Sequence, residues 1–83
     1  MGERTEAREE HLRLWDEVLG VYQGVEITEF QATLLFRKLR ISFPVHSPEA
    51  EILKKLGDSL LGKRIGILKT DLREKPLVIR VLK

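Results

Sequence analysis

Phe30-Gln31-Ala32-Thr33-Leu34-Leu35-Phe36-Arg37-Lys38-Leu39-Arg40-Ile41-Ser42-Phe43 changes character at nearly every residue. Phe30, Ala32, Leu34 and Phe36 alternate with Gln31, Thr33 and Leu35; Leu39, Ile41 and Phe43 alternate with Arg40 and Ser42. Successive side chains of a strand point to opposite faces, so a period of two reads as a half-buried strand pair. Arg37-Lys38 is the turn between them, a weak one because neither residue favours positive φ. The preceding stretch 21–29 extends the first strand, with Gly24 suited to a bulge or bend.

Downstream, Pro44 ends the second strand and Ser47-Pro48 opens a helix, with Ser as N-cap, Pro in the first helical position and Glu49 in the first turn. Ile52, Leu53, Leu56, Leu60 and Leu61 form its buried stripe, and Gly62 closes the segment. Lys63–Thr70 reads as a strand and residues 71–75 as a polar loop. Pro76 precedes a last strand, Leu77–Leu82, apolar on both faces except at Arg80. Such a strand belongs in the interior of a sheet.

Upstream, Leu12, Trp15, Leu19 and Tyr22 recur every three to four residues, which predicts an amphipathic helix over 3–19 with acids in its first turns and Gly20 at its stop. The expected fold is therefore α+β: an N-terminal helix (residues 1–20) followed by one small domain (21–83) with a β-β-α-β-β, β-grasp-like core whose terminal strands lie side by side. A small β-barrel with a helix is the alternative.

Laying the strands out by face puts Phe30, Ala32, Leu34, Phe36, Leu39, Ile41, Phe43, Ile65, Ile67, Leu77, Ile79 and Val81 toward the helix. The other face carries Leu35, Leu68, Val78 and Leu82 among Arg40, Arg64 and Arg80. An apolar patch of this kind calls for a partner. The N-terminal helix supplies one, in cis or in trans, through Leu12, Trp15, Val18, Leu19 and Tyr22. A chain of 83 residues gains much from shared burial, so a homo-oligomer, a dimer, is expected.

Composition sets the remaining bounds. The chain is 42% hydrophobic and 34% charged, which is globular rather than disordered. It has no Cys, so neither disulfides nor thiolate metal sites enter. No apolar run is long enough to span a bilayer and the charged N-terminus lacks a secretory core, so a cytoplasmic protein is expected. The absence of Asn and Cys, with abundant Lys, Arg and Glu, matches hyperthermophile composition. Charge is split: residues 1–30 hold eight acids and three bases, a net of −5, while residues 31–83 hold twelve bases and five acids, a net of +7.

Catalytic chemistry finds no constellation. His11 and His46 lie far apart, Ser47 is better spent as a cap than as a nucleophile beside His46, and Gly62-Lys63-Arg64-Ile65-Gly66 lacks phosphate-loop spacing. The chain reads as a non-enzyme without metal, cofactor or small-molecule substrate. Arg37, Lys38, Lys63, Lys69, Arg73, Lys75 and Lys83 collect at hairpin and strand ends, a footprint suited to phosphate.

Leu39-Arg40-Ile41-Ser42-Phe43-Pro44, the helix start Ser47…Glu49-Ala50-Glu51-Ile52, the segment Gly62 to Asp71 and the ending Ile79-Arg80-Val81-Leu82 resemble a group of small uncharacterised proteins of hyperthermophilic archaea and their plasmids or viruses. The resemblance covers residues 31–83 and implies an archaeal origin and a mobile genetic element, without an activity. Two functions follow from the residues. The first is a non-enzymatic interaction module that self-associates through its N-terminal helix; the second is a nucleic-acid-binding protein using the basic hairpin ends.

Overall fold

The computed structural model describes residues 8–82. Residues 1–7 of the expected helix, and Lys83, lie outside them. Six strands and one helix follow in the order β1 (Arg8–Glu10), β2 (Glu17–Ile27), β3 (Gln31–Phe36), β4 (Leu39–Pro44), α1 (Pro48–Lys54), β5 (Arg64–Lys69) and β6 (Leu77–Val81). They form one sheet in the order β1-β4-β3-β2-β5-β6, with β1 parallel to β4 and every other pair antiparallel.

The long strand β2 organises this sheet. Its first half pairs with β5, from Glu17↔Leu68 to Val21↔Arg64, and its second half with β3, from Tyr22↔Phe36 to Ile27↔Ala32. The register slips between Tyr22 and Gly24, where Gly24 adopts φ 121°, a left-handed value that a glycine tolerates best.

The expected N-terminal helix is therefore wrong: its described residues are β1, a turn and the first half of β2. Val18, Val21, Tyr22, Val25 and Ile27 are β-branched or aromatic and suit a pleated surface. An isolated amphipathic helix is marginal until it packs, whereas β2 gains ladders on both flanks. Trp15 itself is incompatible with a right-handed helix, for its φ is 68°. It sits in a turn held by Asp16 N–H to Arg13 O (3.0 Å) and Trp15 N–H to Lys69 O (2.6 Å). Those bonds hold a backbone state that costs an L-residue about 1–2 kcal/mol.

The β-grasp expectation also fails, because the terminal strands are not neighbours: β2 takes the centre and β6 an edge. The barrel alternative fails with it, since β1 and β6 end the sheet unpaired with each other. Apolarity on both faces of Leu77–Val81 reads as interior, yet no described strand lies beyond it.

Local signals fare better. β3 and β4 form the hairpin read from the alternation, with Arg37 and Lys38 between them. Ser47 caps α1: its Oγ accepts from Ala50 N–H at 3.1 Å and donates to Pro44 O at 2.7 Å. The helix is shorter than expected. It ends at Lys54, and Gly57 at φ 69° turns the chain away, so Leu60 and Leu61 fall in the following turn.

α1 lies mainly over β3 and buries Ala50 and Leu53. Around them gather Leu12, Tyr22, Ala32, Leu34, Phe36, Ile41, Phe43, Ile65, Ile67 and Leu77. Phe30 and Val81, expected on this face, are 77% and 51% exposed. Phe30 sits in the β2–β3 connection, where Thr28 Oγ1 accepts from Phe30 and Gln31 N–H, and Val81 lies at the end of the edge strand.

Burial also governs the protein's one tyrosine. The Tyr22 hydroxyl donates to Gly57 O at 3.0 Å, and its pKa is raised above the ordinary 10.0 by burial first and by Asp58 second. The unfolded chain then loses this proton before the folded one does. Tyr22 therefore contributes stability that declines as pH rises past about 10. Absorbance near 295 nm reads Tyr22 alone, so its titration in native protein is expected above the midpoint in denaturant. Tyr22→Phe is expected to flatten the alkaline loss of stability relative to the parent; equal slopes would contradict the assignment.

Candidate functional site

The acidic front half of the chain is threaded through the sheet, and this disposes of two of the arginines. Glu17 on β2 reaches across β5 to Arg80 on β6, with Arg80 Nε donating to Glu17 Oε2 at 2.8 Å and Nη2 to Oε1 at 3.0 Å. Gly66 makes the crossing possible: a Cβ there would stand 2.8 Å from Glu17 Oε2 and 2.8 Å from Leu19 Cδ2. The paired hydrogen bonds hold the Glu17 carboxyl below its ordinary pKa and raise that of Arg80. On the other half of the sheet, Arg40 Nη2 donates to Glu26 Oε1 at 3.4 Å, while its Nε is buried without a partner among the described residues. Ser42 Oγ donates to Glu9 Oε2 at 3.3 Å and stands 2.8 Å from Thr33 Oγ1.

The residues expected to self-associate are divided by this arrangement. Leu12 and Tyr22 are core, at 6% and 1% exposure, and Val18 packs against the core. Tyr22 and Val18 bury because β2 is a sheet member rather than a docked helix, and Leu12 buries from the β1–β2 connection. Trp15 and Leu19 remain exposed. Leu35, Leu68 and Val78 are half-buried within the sheet. Register places Leu19, Arg64, Leu68, Val78 and Arg80 on one face of the β2–β5–β6 half, and Leu35 and Arg40 opposite each other on β3 and β4.

The basic residues separate into two sets. At the far tip, Lys69, Arg73 and Lys75 flank the β5–β6 loop, interleaved with Asp71 and Glu74 and close to the turn that holds Trp15 and Asp16. The second set lies where the two halves of the sheet meet. Arg37 N–H donates to Val21 O at 3.0 Å, bringing the Arg37-Lys38 tip to one flank of β2. Arg64 is the register partner of Val21 on the other flank, and Lys63 O accepts from Tyr22 N–H at 2.9 Å. Arg37, Lys38, Lys63 and Arg64 are all exposed, and none of the ion pairs resolved among the described residues involves them. The segments that carry them, Phe36–Leu39 and Gly62–Gly66, contain no acid. Arg64, expected by its strand face to self-associate, joins this set; the sequence signal that regroups it is the twin dibasic pair Arg37-Lys38 and Lys63-Arg64, each followed by an apolar residue, Leu39 and Ile65. About 17 Å of strand separates Arg64 from Lys69, so the two sets are distinct surfaces.

A cleft of about 450 Å³ opens between β1 and the end of β4, lined by Glu9, Glu10, His11, Phe30, Gln31, Ser42, Phe43 and Pro44. Its hydroxyl, Ser42, is engaged by Glu9 and Thr33. Among the described residues no three His, Cys, Asp or Glu side chains gather to hold a metal, and no helix is long and apolar enough to cross a membrane. No family model, curated protein or solved structure matches the chain.

Proposed function

We propose that this protein is a non-enzymatic interaction module that binds the phosphate backbone of nucleic acid through Arg37, Lys38, Lys63 and Arg64. The observation that carries this reading is their convergence on Val21 from opposite flanks of β2, in segments free of acid. The rest of the charge supports it. Arg40 and Arg80 are neutralised by Glu26 and Glu17, so the surplus of the basic half concentrates at this junction. Exposed cations attract phosphate by releasing condensed counterions. Tyr22 and Phe36, the aromatics nearest the cluster, are buried, so no ring is offered for base stacking. Duplex is favoured over single strands, and contact is to backbone rather than to base edges.

The test is an anisotropy titration of labelled duplex and single-stranded oligonucleotides. Four phosphate contacts imply that affinity for duplex falls roughly 100-fold between 50 and 200 mM salt. Replacing Arg37, Lys38, Lys63 and Arg64 together by Gln is expected to abolish binding at 50 mM salt, while Gln at Lys69, Arg73 and Lys75 leaves most of it. Absence of duplex binding at 50 mM salt, or equal loss from the two variants, would refute the reading.

A further inference from the structure

β6 is the feature that this function leaves unexplained. Its neighbours identify which of its backbone groups are used. Thr70 N–H donates to Pro76 O at 2.9 Å, and Leu82 N–H to Arg64 O at 2.8 Å. Between these bonds the antiparallel register runs without a slip, from Ile65↔Val81 to Lys69↔Leu77. Hydrogen-bonded and non-hydrogen-bonded pairs alternate along such a ladder. The N–H and C=O groups of Val78 and Arg80 therefore face β5, and those of Leu77, Ile79 and Val81 face outward along the edge of the sheet, beyond which no described strand lies.

Edges of this kind are normally protected by proline, a bulge, inward charge or a covering element. β6 has no proline and no bulge within it, and its one charged residue, Arg80, is engaged by Glu17. It is also apolar on both faces, the pattern of a strand with neighbours on two sides.

We infer that β6 pairs antiparallel with β6 of a second copy of this chain, across a two-fold axis at Ile79, and joins the two sheets into one. The occupant follows from self-complementarity. Centred on Ile79, the pairing sets Ile79 against Ile79 and Leu77 against Val81, so every outward N–H meets an outward C=O of the other copy. Val78 then stands opposite Arg80, and no like charges face each other directly. Each Arg80 brings its own carboxylate, Glu17, to the seam. Moving the axis by one residue to Arg80 would oppose Arg80 to Arg80, and moving it to Val78 would set Val81 opposite Lys75, beyond the strand. A shift of two would move the axis to Leu77 or Val81, at an end of the strand, and leave outward groups unmatched. The pairing also covers Val81, half-exposed in the single chain, with the Leu77 of the other copy. Two-fold pairing of identical patches closes at two copies.

Sedimentation equilibrium without nucleic acid, together with residue-resolved amide exchange, tests this pairing independently of the phosphate-binding reading. The native protein is expected at about twice its 9.6 kDa chain mass, with the amides of Leu77, Ile79 and Val81 protected. Val81→Pro removes an outward donor at an exposed position and spares the β5 ladder, so it is expected to give a folded monomer. A native monomer at NMR concentration overturns the inference. So does a dimer whose Leu77, Ile79 and Val81 amides exchange freely, or one that folded Val81→Pro leaves intact. Should Val81→Pro fail to fold, the native amide pattern decides.

Discussion

Leu34→Ala is expected to cost about 2–5 kcal/mol, lowering the melting temperature by roughly 10–30 °C. Leu34 is fully buried on β3, with Val25 of β2 and Ile41 of β4 as its register partners. α1 packs more extensively on this strand than on any other. Truncation removes the apolar contacts of the side chain and leaves a void in a region closed on several sides, where relaxation is partial. Phe30→Ala is the informative comparison. Alternation puts Phe30 and Leu34 on one strand face, yet Phe30 is 77% exposed. Its loss is expected to stay within about 0.5 kcal/mol, although it deletes the larger side chain. Denaturant melts of both variants check the pair; similar costs would contradict the arrangement of the core.

Gly20→Ala is expected to destabilise by about 1–3 kcal/mol, although on an open strand it would be neutral or better. A Cβ at Gly20 would lie 2.9 Å from Cγ, 3.1 Å from Cδ1 and 3.2 Å from Cβ of Phe36. Phe36 is buried and cannot swing into solvent without losing the core. Its own Cβ is among the atoms struck, so a rotamer change alone does not clear the clash. The glycine is thus the floor on which the Phe36 ring rests as β2 passes from β5 to β3. Combining Gly20→Ala with Phe36→Ala should cost less than the sum of the two single changes, because alanine removes the Cγ and Cδ1 that the new methyl meets most closely. Strict additivity in equilibrium unfolding would show that the ring and the glycine do not share this contact.

Legibility in the sequence followed the range of the interactions involved. The β3–β4 hairpin and the capped start of α1 were readable because adjacent residues build them: an alternation across one turn, and Ser47 bonding three residues ahead. The first thirty residues were not readable. Leu12, Trp15, Leu19 and Tyr22 have helical spacing, but Val18 and Tyr22 equally have strand-like even spacing. A ladder to β5, nearly fifty residues later, chooses between them. The candidate site was legible in part. Arg37, Lys38 and Lys63 are marked by their charge, whereas Arg64 reads by strand face as a self-association residue until its register with Val21 places it beside them.

By itself the sequence determined the local elements: one mid-chain helix, a hairpin before it, two strands after it, and a charge distribution with an acidic front and a basic back. These depend on caps, turns and side-chain periods that act over a few residues. The tertiary structure alone decided that the front is a strand, that β2 is central, that β6 is an edge, and that Glu17 and Glu26 engage Arg80 and Arg40. Each of those outcomes depends on which backbone edges find partners and which faces escape water. Period and composition do not specify that choice, because the same alternation fits either side of a sheet and the same charges fit many pairings.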